Sequence, residues 1–173
     1  MLAYVFSHRP AGGVDFSDYE AALRHFHATL ASAPPSGFLE STTYRVGERY
    51  SDWYLVENSA ALDALNLAAV SGPRTAAHDS AARMAADGVG KLYSLAGGET
   101  TGGAGFEVHF AKPPGMPYAD LYERMQPLTG RPKTSLWRRM MVLGPPPEFC
   151  LIAPTELELP REFRPEVVRR DPI

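Results

Sequence analysis

The chain has 173 residues, 45% of them apolar and 21% charged, with a formal net charge of −3 at pH 7. This is the make-up of an ordinary globular protein, long enough for one large domain or two small ones. The negative balance excludes bulk attraction to nucleic acid or an anionic membrane, and with a single cysteine, Cys150, no intramolecular disulfide can form.

The first segment, 2–9, is aromatic and apolar and is followed by Pro10, Gly12 and Gly13, which reads as a strand and a loop. Ser17 and Glu20 have capping-box spacing. The helix they open places Tyr19, Ala22, Leu23, Phe26 and Leu30 on one face. Pro34, Pro35 and Gly37 end it. Segments 38–46 and 50–57 read as a hairpin across Gly47. Ser59 is the expected cap of a short helix containing Leu62, Leu65 and Ala69. Pro73 opens an alanine-rich helix predicted to reach about residue 87. A short strand over 91–95 closes a β-α-β-β-α-β unit, the ferredoxin-like order.

Residues 98–103 are Gly-rich and read as a linker. The pattern then restarts: a strand over 105–112, a helix carrying Tyr118, Leu121, Tyr122 and Met125, a strand over 135–143, and a third over 148–152. The last helix is shortened to 155–163 and a final strand is expected over 166–170. The organisation predicted is therefore a first half over 1–97, the linker, and a shortened second half over 104–173. The fold class is α+β, with two tandem ferredoxin-like units whose antiparallel sheets pack face to face, because each sheet has one bare side to cover. A second copy of the chain, giving a homodimer, is the alternative cover.

These two strand–helix–hairpin blocks, 4–58 and 107–154, resemble the dimeric α/β-barrel superfamily in a tandem version. The superfamily includes small monooxygenases, isomerases, stress-responsive barrel proteins and haem-dependent enzymes. The resemblance implies a small-molecule site between the sheets and leaves the chemistry open.

Strand alternation selects candidates for that site. Phe106, Val108 and Phe110 are expected under the helices, which turns Glu107 and His109 inward. Leu136, Met140 and Val142 are likewise expected under the helices, leaving Trp137, Arg139 and Met141 inside. The same register in the first half puts Ala3, Val5 and Ser7 under the helices and Tyr4, Phe6 and His8 inside, with Glu40, Thr42 and Tyr44 from the next strand. Glu107 and His109, about 7 Å apart along one strand face, fit a proton-handling histidine and its orienting carboxylate. Arg139 would stabilise an oxyanion, while Tyr4, His8, Glu40, Tyr44 and Trp137 would shape the ligand site.

His25 and His27 lie on opposite helix faces, so one is expected in solvent and the other against the sheet. Cys150 in an apolar strand reads as a buried thiol. No metal or dinucleotide motif is present, and no cofactor is expected. The leading expectation is cofactor-independent monooxygenase or isomerase chemistry on a small, partly aromatic compound. A non-catalytic ligand-binding or stress-related barrel protein is the first alternative, and a haem protein using His78 the second. The N-terminus lacks a basic leader, no run approaches the ~20 apolar residues of a membrane span, and a cytoplasmic location is expected.

Overall fold

A computed structural model describes residues 1–100 and 102–173. The chain is α+β, with four α-helices and eight β-strands among the described residues, and every described strand pairing is antiparallel. It divides into two compact units. The first holds Met1–Gly90 and Ile173, the second Lys91–Pro172. No helix among the described residues is long and apolar enough to cross a membrane.

In the first unit β1 (Leu2–Pro10), β2 (Phe38–Val46) and β3 (Arg49–Val56) form a sheet ordered β1-β3-β2. Tyr4 lies opposite Tyr54, Phe6 opposite Asp52 and His8 opposite Tyr50. The crossing helix α1 (Phe16–Ser32) is capped by Asp15, whose side chain accepts from the Ser17 and Asp18 amides. The capping box read at Ser17 is absent because Glu20 is engaged elsewhere, with Arg45 and the Tyr50 hydroxyl. Helix α2 (Ala60–Ala69) takes its cap from Asn58, which accepts from the Ala60 and Ala61 amides, and Ser59 makes no side-chain cap. Helix α3 (Thr75–Met84) ends earlier than its alanine pattern suggested. Its small side chain at Ala81 packs with Tyr19, Leu23 and Tyr50.

Strand β4 (Ala85–Gly98) is 14 residues long and so begins where the helix was expected to continue. Gly88 and Gly90 lie beneath the rings of Phe6 and Tyr4. A Cβ there would come within 2.4 Å of Phe6 Cζ and 2.8 Å of the Tyr4 hydroxyl. The second part of β4 pairs with a strand of the second unit, from Tyr93 opposite Arg139 to Gly98 opposite Ser135. The glycine-rich linker expected over 98–103 falls in part on residue 101, outside the described residues.

The second unit orders its strands β8-β5-β7-β6-β4, with β5 (Gly105–Phe110), β6 (Ser135–Arg139), β7 (Phe149–Ala153) and β8 (Glu166–Pro172). Helix α4 (Tyr118–Thr129) lays Leu121 and Met125 on a core of Val108, Phe110, Leu136, Phe149 and Leu151. Each fully buried aliphatic or aromatic side chain of this kind stabilises the fold by about 1.5–3 kcal/mol relative to exposure. The expected helix over 155–163 is reduced to a single 3-10 turn at Arg161–Phe163. Leu157, Leu159 and Phe163 still reach the same core, so irregular chain does the covering that a helix would have done.

Strand β6 stops at Arg139 rather than running to 143. The Met140 amide turns to Leu92 O, and Met141 adopts φ 49°, a left-handed turn conformation incompatible with a ladder. Met140 therefore lies beyond the strand, while Met141 and Val142, expected in the interior and under the helix, are 74% and 81% exposed.

Candidate functional site

On β5 the alternation that drives Val108 and Phe110 into the α4 core turns Glu107 and His109 to the opposite face. Glu107 Oε2 and His109 Nε2 are 2.9 Å apart. Cys150 lies directly opposite His109 across the β5–β7 ladder, and Trp137 directly opposite Cys150 on β6. Arg139 and Tyr93 follow on the same face as a cross-strand pair. Arg170, 2% exposed, brings Nη1 to 3.7 Å from Glu107 Oε1, an ion pair too long to be a hydrogen bond. Arg139 donates through Nη1 to Gly144 O at 2.8 Å, and its buried Nε has no hydrogen-bond partner among the described residues. Trp137 donates to Ser135 Oγ at 3.0 Å.

The electrostatics are those of one buried carboxylate among cations, with the exposed Glu166 opposite His109 on the β5–β8 ladder. Burial works against the charge of Glu107, but His109 and Arg170 outweigh it and hold its pKa below the ordinary carboxylate value. Burial also works against a charged His109, and there Cys150 and Glu107 outweigh it and raise the pKa. Burial pushes the Cys150 thiol up. Lys91 is lowered chiefly by burial, and it lies within electrostatic reach of Cys150, Arg139 and Glu107.

The first-unit residues named from the sequence are not gathered on one face. Tyr4 and His8 lie on the face that α1 covers, the reverse of the expected register, and Ala3 and Val5 lie on the other. Tyr44 is buried and Glu40 exposed, both in the opposite phase of the ladder from Tyr4 and His8. The reversal has a chemical cause. The layer beneath α1 is polar and hydrogen-bonded, so the side of β1 that meets the helix is not the one an apolar rule selects.

That layer is a cluster the sequence reading missed. Asp52, 4% exposed, sits at its centre. It accepts from Thr43 Oγ1 at 2.6 Å and from the Tyr54 hydroxyl at 3.3 Å. His8 Nε2 and His27 Nε2 lie 3.2 and 3.4 Å from its two oxygens, on the long side for hydrogen bonds. The far nitrogens are anchored in turn: His8 Nδ1 by the Tyr19 hydroxyl and His27 Nδ1 by Ser41 Oγ at 2.7 Å. Burial opposes the charge on Asp52, yet His27 and His8 outweigh it and the pKa is lowered. Tyr19 and Tyr54 are pushed up, first by burial and then by the Asp52 charge. With Tyr19 wholly enclosed, this cluster reads as a buried polar core. One sequence signal was available: His27 and Glu20 are seven residues apart and flank Leu23 on the helix stripe. His25, as expected, is exposed while His27 is buried. His78, the histidine weighed for haem, has Nδ1 3.2 Å from Asp79 Oδ1 and its ring 5.6 Å from that of Phe26.

No family model matches the chain, and no curated protein matches it. Among solved structures, the chain is similar in fold to a protein described as a "putative monooxygenase from Lactobacillus acidophilus NCFM", with a TM-score of 0.61 at 9% sequence identity. The similarity covers 99% of this chain and 93% of that one.

Proposed function

We propose that this chain is a small-molecule enzyme of the oxygenase or isomerase type whose substrate is a small, partly aromatic compound carrying an anionic oxygen. The observation that carries the reading is the charge imbalance on one face of the second sheet. Glu107 is the buried carboxylate there and Glu166, opposite His109, an exposed one, while Lys91, Arg139 and Arg170 are the basic groups that accompany them. An anionic ligand restores the balance, and the unpartnered Arg139 Nε–H is the donor suited to its oxygen. Trp137 and Tyr93 supply aromatic surface on the same face.

In this proposal Arg139 stabilises the charge of a phenolate or enolate as it develops. His109 handles the proton, and Glu107 fixes the imidazole orientation through the 2.9 Å contact. The similarity in fold to a monooxygenase candidate supports this class of chemistry, and the order of the second unit's strands suits a ferredoxin-like half.

The test uses phenolic and enolic acids with a neutral isostere of each, read by calorimetry for binding and by oxygen uptake and product spectra for turnover. Anionic members should bind more tightly than their neutral isosteres. Arg139→Gln should weaken that preference by about tenfold or more, on the scale of a charge-assisted hydrogen bond. Equal affinity for both members of each pair, or full turnover by Arg139→Gln, would sink the reading. Binding without turnover in any pair would leave a ligand-binding protein rather than an enzyme.

A further inference from the structure

We propose that Glu107, His109 and Cys150 form a site for a divalent transition metal of the zinc type, with one coordination position left for an outside ligand. One donor atom of each residue lies within 4.8 Å of the other two. The strand ladder fixes this arrangement. Glu107 and His109 are two apart on β5, and Cys150 faces His109 from β7. A tetrahedral ion with ordinary zinc bond lengths sets its ligand atoms roughly 3.4–3.6 Å apart. The Glu107–His109 contact of 2.9 Å is shorter than that spacing, and the donor atoms of the trio all lie within 4.8 Å of one another, so the side chains must shift by up to about 1 Å to close on an ion.

A second observation concerns the same side chains. Among the described residues His109 Nδ1 and Glu107 Oε1 are buried with no hydrogen-bond partner; Oε1 has the Arg170 ion pair at 3.7 Å, and His109 Nδ1 is the nitrogen left free for an ion once Nε2 faces Glu107 Oε2. Buried polar atoms are seldom left so. The donor types select the metal class: thiolate, imidazole and carboxylate are all zinc ligands, while magnesium and calcium take oxygen donors. Three protein ligands with a fourth position open is the pattern of sites that bind water or substrate.

Arg170 beside Glu107 is compatible with this assignment. A divalent ion with one thiolate, one carboxylate and a neutral imidazole sums to zero charge, so the neighbouring guanidinium meets no added repulsion. Its 3.7 Å approach makes it an outer partner that orients the carboxylate. The site shares Glu107 and His109 with the function proposed above: an ion bound there takes both as ligands, so for this pair ligation and proton handling exclude one another, while the anion preference of Arg139 depends on neither.

The experiment titrates the full chain, stripped with chelator, with Co2+ and then Zn2+. One equivalent of Co2+ should produce a thiolate-to-cobalt charge-transfer band that Zn2+ abolishes. Cys150→Ser should eliminate the band. His109→Gln should weaken Zn2+ binding by on the order of 100-fold, and Arg170→Gln by about tenfold, as outer-shell changes do. Near-ultraviolet circular dichroism checks that each variant is folded; should Cys150→Ser not fold, Glu107→Gln must weaken the cobalt band instead. The assignment is overturned by the lack of a saturable band in the folded wild-type chain, or by a band unchanged in the folded ligand variant. Loss of the metal reading leaves the anion preference of Arg139 untouched, and the reverse also holds, so the two fail separately.

Discussion

Replacing Asp52 by Asn keeps the shape of the side chain and removes its charge, and so isolates what that charge does beneath α1. The carboxylate receives Thr43 at 2.6 Å and Tyr54 at 3.3 Å, with two imidazole nitrogens at 3.2 and 3.4 Å. Hydrogen bonds to a charged acceptor are worth about 1.5–3 kcal/mol and neutral ones about 1. Losing the charge assistance at Thr43 and Tyr54 therefore costs about 1 kcal/mol at each. The new amide NH2 also meets donors on one side, which adds roughly 1–3 kcal/mol for the mismatched group. Relief of desolvation works the other way. The lowered pKa of Asp52 decides the sign, since it means that the partners outweigh burial. The expected loss is about 3–5 kcal/mol, in the range for breaking one side of a buried pair.

Urea unfolding by tryptophan fluorescence measures this loss. The chain has two tryptophans, and a Trp137→Phe background leaves Trp53 to report on the first unit. A loss below about 1 kcal/mol would refute the argument, because it would place the carboxylate near break-even with its desolvation.

The same carboxylate sets an acid response. Its folded pKa is below the unfolded one, so its stabilisation is fully present above the unfolded value of about 3.9 and is lost as pH falls through the folded value. Below about pH 4 the wild type should lose up to ~1.4 kcal/mol per pH unit from this group. Urea midpoints in that window should therefore bring wild type and Asp52→Asn together; a constant gap would contradict the assignment. In the second unit, Phe163 is 1% exposed and meets Phe110 edge-on at 5.7 Å. Phe163→Ala should cost about 3–5 kcal/mol by thermal or urea unfolding, and a loss under 1 kcal/mol would show that the segment from Leu157 to Phe163 does not seal the core.

The second unit was the more legible in sequence. Phe106, Val108 and Phe110 alternate with Glu107 and His109, so a period of two names the two faces without ambiguity, and the heptad-like spacing of Tyr118, Leu121, Tyr122 and Met125 names the helix. The β1 segment offers no such contrast, because Tyr4, Val5 and Phe6 are all large and apolar. What decides its register is the polar set His8, His27, Thr43 and Asp52, whose mutual satisfaction lies across four elements and leaves no local pattern. The loop at Met141 and Val142 was unreadable for another reason. An apolar run ordinarily signals burial, and only the backbone turn at Met141 reveals that this one projects into solvent. The capping errors share a cause as well, since the residues at 17 and 59 have competent neighbours, Asp15 and Asn58, one or two positions upstream.

Cys150 gives the molecule a built-in clock. It is the only sulfhydryl in the chain and it has no solvent contact. An alkylating reagent can modify it only after β7 has come away from its neighbours, so the labelling rate counts those excursions. When reclosing is faster than the chemistry, that rate yields the free energy of the excursion, and its change with a bound anion reports how firmly that cargo holds the sheet shut.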